Sequence, residues 1–133
     1  MAAHQNPHIP PIALIVEDDP DLRELAAALL EETELRVVEC SDAEAAYRVL
    51  CNEGEDVALI FADVRLPGLL NGAELAHRAR TMWPHARVVV TSGYPSDGKL
   101  PDGVIYMPKP WLALNVLMQA ERAADGARER AAA

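Results

Sequence analysis

A doubly wound α/β fold is what the sequence predicts, with five parallel strands in the order 2-1-3-4-5 and helices on both faces. Three observations carry this. Five short apolar runs alternate with segments whose apolar residues recur at helical spacing. The runs are almost continuously apolar, as strands covered on both faces are. Several of them stop abruptly at acidic or hydroxylic residues. In the order 2-1-3-4-5, strands one and three are neighbours and the chain direction reverses between them. Ligands of parallel sheets gather at such a switch point, outside the carboxyl ends of the strands.

Residues 12–16 form the first run and end in Glu17-Asp18-Asp19. Pro20 suits the first turn of a helix, and Leu22, Leu25, Ala26 and Leu29 give that helix an apolar face to about Thr33. Residues 35–39 read as strand two. Ser41-Asp42-Ala43-Glu44 matches a capping box, with Ser41 at the cap, and Gly54 terminates the helix it opens. Residues 57–62 form strand three, which runs into Asp63; Pro67-Gly68 then turns the chain. A helix from Gly72 to about Met82 turns Leu75, Ala76 and Ala79 inward. Residues 87–91 form strand four and 104–107 strand five. The segment between these strands holds three glycines and two prolines, so the fourth helix of the alternation is expected to be shortened or missing. A last helix is expected from Trp111 to about Ala124. The domain is thus expected to span 12–124, after a disordered lead at 1–11 and before a tail at 125–133.

The chain has 133 residues, the size of one domain. No run of eighteen apolar residues occurs, and the amino terminus lacks the pattern of a signal peptide. Cys40 and Cys51 have no metal or disulfide spacing and read as reduced core thiols of a cytoplasmic protein. His4, His8, His77 and His85 show no metal spacing either. A net charge of −9 argues against non-specific nucleic-acid binding.

The strand ends form a constellation. Glu17, Asp18 and Asp19 end strand one, Asp63 strand three and Thr91-Ser92 strand four, and Lys109 stands beside the end of strand five. Carboxylates gathered there repel one another and require a cation. Oxygen donors without His or Cys suit a hard ion such as Mg²⁺. Lys109 supplies a point charge and Thr91 a hydroxyl donor. Asp63 is left as the nucleophile, and a carboxylate attacking phosphorus gives an acyl phosphate.

These residues resemble the receiver domain of two-component response regulators. The resemblance is carried by Val16-Glu17-Asp18-Asp19-Pro20, by Asp63-Val64-Arg65-Leu66-Pro67-Gly68 with Asn71-Gly72, by Thr91-Ser92-Gly93-Tyr94 and by Lys109-Pro110, in order along residues 12–124. It implies a flavodoxin-like fold, Mg²⁺, and phosphoryl transfer from phosphohistidine to Asp63. It implies Asp18 as a direct metal ligand, Glu17 as one acting through water, and the backbone carbonyl of Arg65 as a third contributor beside Asp63. By the same resemblance Thr91 is the switch hydroxyl, Tyr106 the switch aromatic and Lys109 the lysine of the site; the Lys109-Pro110 bond is expected to be cis. Asp19 is expected to serve the helix amino terminus instead of the metal.

The implied partners are a histidine kinase or histidine phosphotransfer protein upstream and an unidentified protein downstream, with the receiver a monomer or weak dimer. A chain that starts at Met1 and stops soon after the last helix is expected to be a stand-alone receiver with no enzymatic output. Two alternatives remain at this point: a degenerate receiver used only for docking, and an aspartyl-nucleophile phosphatase. The second expects Asp-x-Asp, which Asp63-Val64-Arg65 breaks.

Overall fold

The computed structural model describes residues 9–93 and 100–133. Its strands are β1 (Ile12–Val16), β2 (Arg36–Cys40), β3 (Val57–Asp63), β4 (Arg87–Ser92) and β5 (Ile105–Pro108). Its helices are α1 (Pro20–Glu31), α2 (Ala43–Glu53), α3 (Gly72–Met82) and α4 (Ala113–Ala132), with a single 3₁₀ turn at Gly54–Asp56. The strands form one parallel sheet in the order β2-β1-β3-β4-β5, the flavodoxin-like arrangement that the strand–helix alternation predicts.

Alternate residues of each strand enter opposite cores, as the two-residue period of a strand requires. Ile12, Leu14, Val16, Ile60, Ala62, Val88 and Val90 meet α2 and α3 on one face. Ala13, Ile15, Leu59, Phe61 and Val89 meet α1 and α4 on the other. All the residues of β1 and β3 are buried, which explains why those runs carry no polar alternation.

Three local expectations are corrected. The buried side of α1 is Ala26, Ala27 and Leu30, while Leu25 is half exposed. Asp42, not Ser41, caps α2, its Oδ1 accepting the N–H of Ala45 at 2.7 Å. Asp42 takes the cap because the helix begins one residue later than the Ser41–Glu44 spacing implies, and Glu44 is thereby released for another contact. Gly54 follows α2 in right-handed geometry (φ −57°), so a left-handed stop is not its role. A Cβ there would fall 2.2 Å from Nε1 of the Trp83 indole, so Gly54 is required for space.

Two further differences concern the periphery. The last helix continues through Gly126 to Ala132 instead of ending near Ala124. Arg128 ties this extension to Glu34 and Asp125, and Arg130 reaches the carbonyl of His85 at 3.5 Å. Cys40 is buried as expected, and burial with the nearby Asp42 charge pushes its thiol pKa up. Cys51 is exposed on α2 and fills no core.

Between β4 and β5 no helix occurs among the described residues; the remainder of that expectation falls on 94–99, outside them. Leu100 and Val104 instead pack against the edge of the α2–α3 core. Arg80 of α3 anchors the segment, donating from Nε to the Asp102 carbonyl at 3.3 Å, while its Nη1 donates to the Pro84 carbonyl in the turn between α3 and β4 at 3.1 Å. The expected lead at 1–11 likewise falls mostly outside the described residues. No described helix is long and apolar enough to cross a membrane.

Candidate functional site

Strand register assembles the site. β1 and β3 pair Val16 with Ala62, so Glu17 and Asp63 leave the sheet side by side. β3 and β4 pair Asp63 directly with Thr91. β4 and β5 pair Ser92 with Pro108, and the N–H of Lys109 donates to the Ser92 carbonyl at 2.9 Å. The Lys109-Pro110 peptide is cis, as expected.

The side chains then converge. Lys109 Nζ donates to Glu17 Oε1 at 2.8 Å and to Asp63 Oδ2 at 3.1 Å. The second oxygen of each carboxylate takes a backbone donor: Glu17 Oε2 the N–H of Asp19 at 3.1 Å, and Asp63 Oδ1 the N–H of Arg65 at 3.2 Å. Glu17 is 2% exposed and Asp63 7%, so these charges are held by fixed groups in place of bulk water. Asp18 is exposed and completes the acidic group, with one oxygen each from Glu17, Asp18 and Asp63 lying within 4.8 Å of one another.

Burial raises the pKa of Glu17. The bonds from Lys109 and Asp19 work against this rise, and the Asp63 charge adds to it. Burial alone would lower the pKa of Lys109, but its bonds to Glu17 and Asp63 outweigh that, and the ammonium is held above its ordinary range. The two directions are compatible. One ammonium is shared by two carboxylates, so each acid receives only part of the compensation while the lysine receives both. The remaining repulsion leaves room for a further cation, and an all-oxygen donor set suits a hard one.

Asp19 acts as the cap of α1, its Oδ1 accepting the N–H groups of Asp21 at 2.9 Å and Leu22 at 3.2 Å. Thr91 is buried, and its carbonyl accepts the N–H of Val64 at 2.8 Å. Tyr106 lies a strand farther out. It is 40% exposed, and its hydroxyl donates to the Ser92 carbonyl at 3.3 Å. Arg65 is exposed at the mouth of the pocket. Trp111 packs edge-on to Phe61 of β3, with ring centroids 5.1 Å apart.

A family model described as the response regulator receiver domain matches residues 13–104. The chain belongs to the response regulator receiver domain family. The receiver is 35% identical over 82 residues to the protein-glutamate methylesterase/protein-glutamine glutaminase 3 of Hahella chejuensis. That match covers 61% of this chain but only 23% of the relative, so the receiver spans about a quarter of its length. It is 29% identical over 89 residues to the response regulator receiver protein CpdR of Brucella abortus, covering 67% of this chain and 72% of that one. Among solved structures, the receiver domain of the hybrid histidine kinase CckA superposes with a TM-score of 0.72 at 29% identity, covering 85% of this chain and 98% of that one. Tyr106 and Lys109 lie beyond the span that the family model matches. Lys109 is tied into the receiver pocket by its own ion pairs with Glu17 and Asp63.

Two residues with no pocket role expected from the sequence also shape the pocket. Arg23 of α1 donates from Nη1 to the Glu17 carbonyl at 2.9 Å, holding the turn after β1. Gly72 begins α3 so close to β3 that a Cβ would lie 1.8 Å from the Asp63 carbonyl oxygen. Its signal was present in Asn71-Gly72, since Asn71 caps α3 and forms a full capping box with Glu74. Glu44, whose capping-box spacing pointed to its own helix, instead accepts the N–H of Leu70 in the β3–α3 loop at 2.9 Å.

Proposed function

We propose that this receiver accepts a phosphoryl group on Asp63 from a phosphohistidine of a histidine kinase or histidine phosphotransfer protein, and signals through protein contacts. The observation that carries the reading is the placement of Asp63: a carboxylate at a buried strand end, bonded to Lys109 and adjoining Glu17 and Asp18. An oxygen of Asp63 attacks phosphorus, the phosphorus–nitrogen bond to the donor imidazole breaks, and an acyl phosphate forms as the imidazole leaves with the nitrogen electron pair. Lys109 moves its attraction from the carboxylate to the incoming phosphoryl oxygens, and Glu17 keeps the ammonium anchored throughout.

Glu17, Asp18, Asp63 and the Arg65 carbonyl are the groups that would hold Mg²⁺, with Glu17 acting through water. When bound, the ion neutralises charge shared by the acceptor and the phosphoryl oxygens. The Thr91 hydroxyl takes the role of switch by bonding the new phosphoryl oxygen, and Tyr106 reports the change on the β5 surface. In this reading the chain catalyses only its own phosphorylation and dephosphorylation.

Incubation with Mg²⁺ and acetyl phosphate, followed by intact mass measurement, tests the proposal. A Mg²⁺-dependent phosphoryl adduct is expected on the wild type and none on Asp63→Asn. Equal modification of both proteins, or of neither, defeats it.

A further inference from the structure

Glu44 stands in the first turn of α2, and its carboxylate crosses to another loop. Oε1 accepts the N–H of Leu70 at 2.9 Å. Beside it is Gly68, in the left-handed region at φ +98°. A Cβ on Gly68 would lie 2.7 and 2.9 Å from the two Glu44 oxygens, so the carboxylate packs directly against that backbone. We propose that Glu44 is a positioning residue for the receiver site, fixing the β3–α3 loop in the path that carries Arg65 past Asp63. The inference rests on the reading of Asp63 as phosphoryl acceptor.

The loop needs such a tether. Its base is closed by two backbone bonds, Gly72 N–H to the Val64 carbonyl at 2.9 Å and Val64 N–H to the Thr91 carbonyl at 2.8 Å. Beyond the base, Pro67 and Gly68 are exposed and Leu69 is 97% exposed, so their side chains contribute little anchorage. Leu66 packs partly buried against the core and Leu70 enters it fully, and Leu70 is the one whose amide Glu44 holds. Arg65 has two backbone tasks. Its N–H fixes Asp63 Oδ1, and its carbonyl is the proposed metal contributor. A charge-assisted bond from α2 therefore sets the conformation of the segment that aims both groups, without Glu44 touching the reacting atoms.

The test compares wild type, Glu44→Ala and Glu44→Gln by NMR, reading amide exchange and Mg²⁺ titration shifts, together with acetyl phosphate labelling. In Glu44→Ala, the Leu70 amide is expected to exchange about tenfold faster while β1 and β3 amides stay protected. Mg²⁺ affinity is expected to fall about tenfold, the usual consequence of removing an outer support of a metal site. Glu44→Gln, whose amide oxygen still accepts, is expected to recover most of both losses. Unchanged Leu70 exchange and Mg²⁺ affinity in Glu44→Ala overturns the proposal, as does uniform loss of protection that Glu44→Gln fails to rescue. If Glu44→Ala does not fold, Gly68→Ala disturbs the same contact from the loop side, and wild-type Mg²⁺ affinity in that variant overturns the proposal. Wild-type protein that neither binds Mg²⁺ nor is labelled removes the reading of Asp63, and this inference with it. Normal wild-type behaviour with an unaffected Glu44→Ala removes only the role of Glu44.

Discussion

The strand-end pocket and the surface where β4 passes to β5 are held by different kinds of constraint. In the pocket, each buried carboxylate divides its two oxygens between Lys109 and a backbone donor, and α3 begins within a Cβ's reach of the Asp63 carbonyl. Across the β4–β5 surface, Arg80 bonds the Asp102 carbonyl, Leu100 and Val104 lie partly buried, and Tyr106 is half exposed. Charge and exclusion of atoms admit few residue types. Partial apolar contact admits many. The strand-end pocket is thus specified by tight local rules, while the described part of the surface around it is held by looser contacts that tolerate variation.

The largest effect that would break this contrast concerns Gly72. An added methyl meets backbone at 1.8 Å, where no flexible side chain can yield. Gly72→Ala is expected to cost about 2–3 kcal/mol, the scale of a forced overpacking. The midpoint of a urea transition at unchanged slope measures it. Alanine is otherwise the better helix former, so a neutral or stabilising result would show that the contact does not constrain the pocket.

A smaller effect sharpens the electrostatic half of the comparison. Glu17 is raised above its ordinary value of 4.5, mainly by burial, so the folded state binds more protons than the unfolded chain just above that pH. Its contribution to stability is therefore greatest at lower pH and falls as pH climbs through the folded pKa. Lys109 has the opposite origin but loses stability in the same direction. Its pKa is raised, so its contribution is complete below 10.5 and disappears as pH rises through the folded value. In Mg²⁺-free buffer, stability is expected to decline with pH in the window opening at 4.5, and Glu17→Gln is expected to flatten that decline. Urea midpoints across pH read both. An unchanged slope in Glu17→Gln would mean that another group governs the window.

Most of the fold and the acidic site were legible because each depended on a strong signal of short range. Apolar runs and helical spacing gave the strand–helix alternation that favours this sheet order, and abrupt charges at run ends located Glu17, Asp18, Asp63 and Lys109. What was not legible depended on which of two equivalent contacts wins. Ser41 and Asp42 can both cap a helix, and only the starting residue of α2 decides between them. Glu44 fits a cap by spacing and instead meets a loop 26 positions away in sequence. Gly54 resembles a helix stop, yet its requirement comes from Trp83, brought to it by the packing of α3. The helical tail was not legible because the stretch from Gly126 is polar or alanine-rich, and the ties of Arg128 and Arg130 run to Glu34 and to the His85 carbonyl, remote in sequence.

That same glycine gives the mildest test of the comparison. Gly126 lies inside α4, and a Cβ there meets nothing within 4 Å. It therefore carries the backbone entropy of glycine without a turn, a left-handed angle or a close neighbour to require it. Gly126→Ala is expected to stabilise the receiver by about 0.5–1 kcal/mol, the ordinary gain for a helix interior. Labelling at Asp63 should be unaffected. Two glycines at helical positions would then respond to one added methyl with opposite signs, because one abuts the pocket and the other faces open space. A loss of stability in Gly126→Ala, measured by the same urea transition, would mean that the end of α4 carries a constraint of its own.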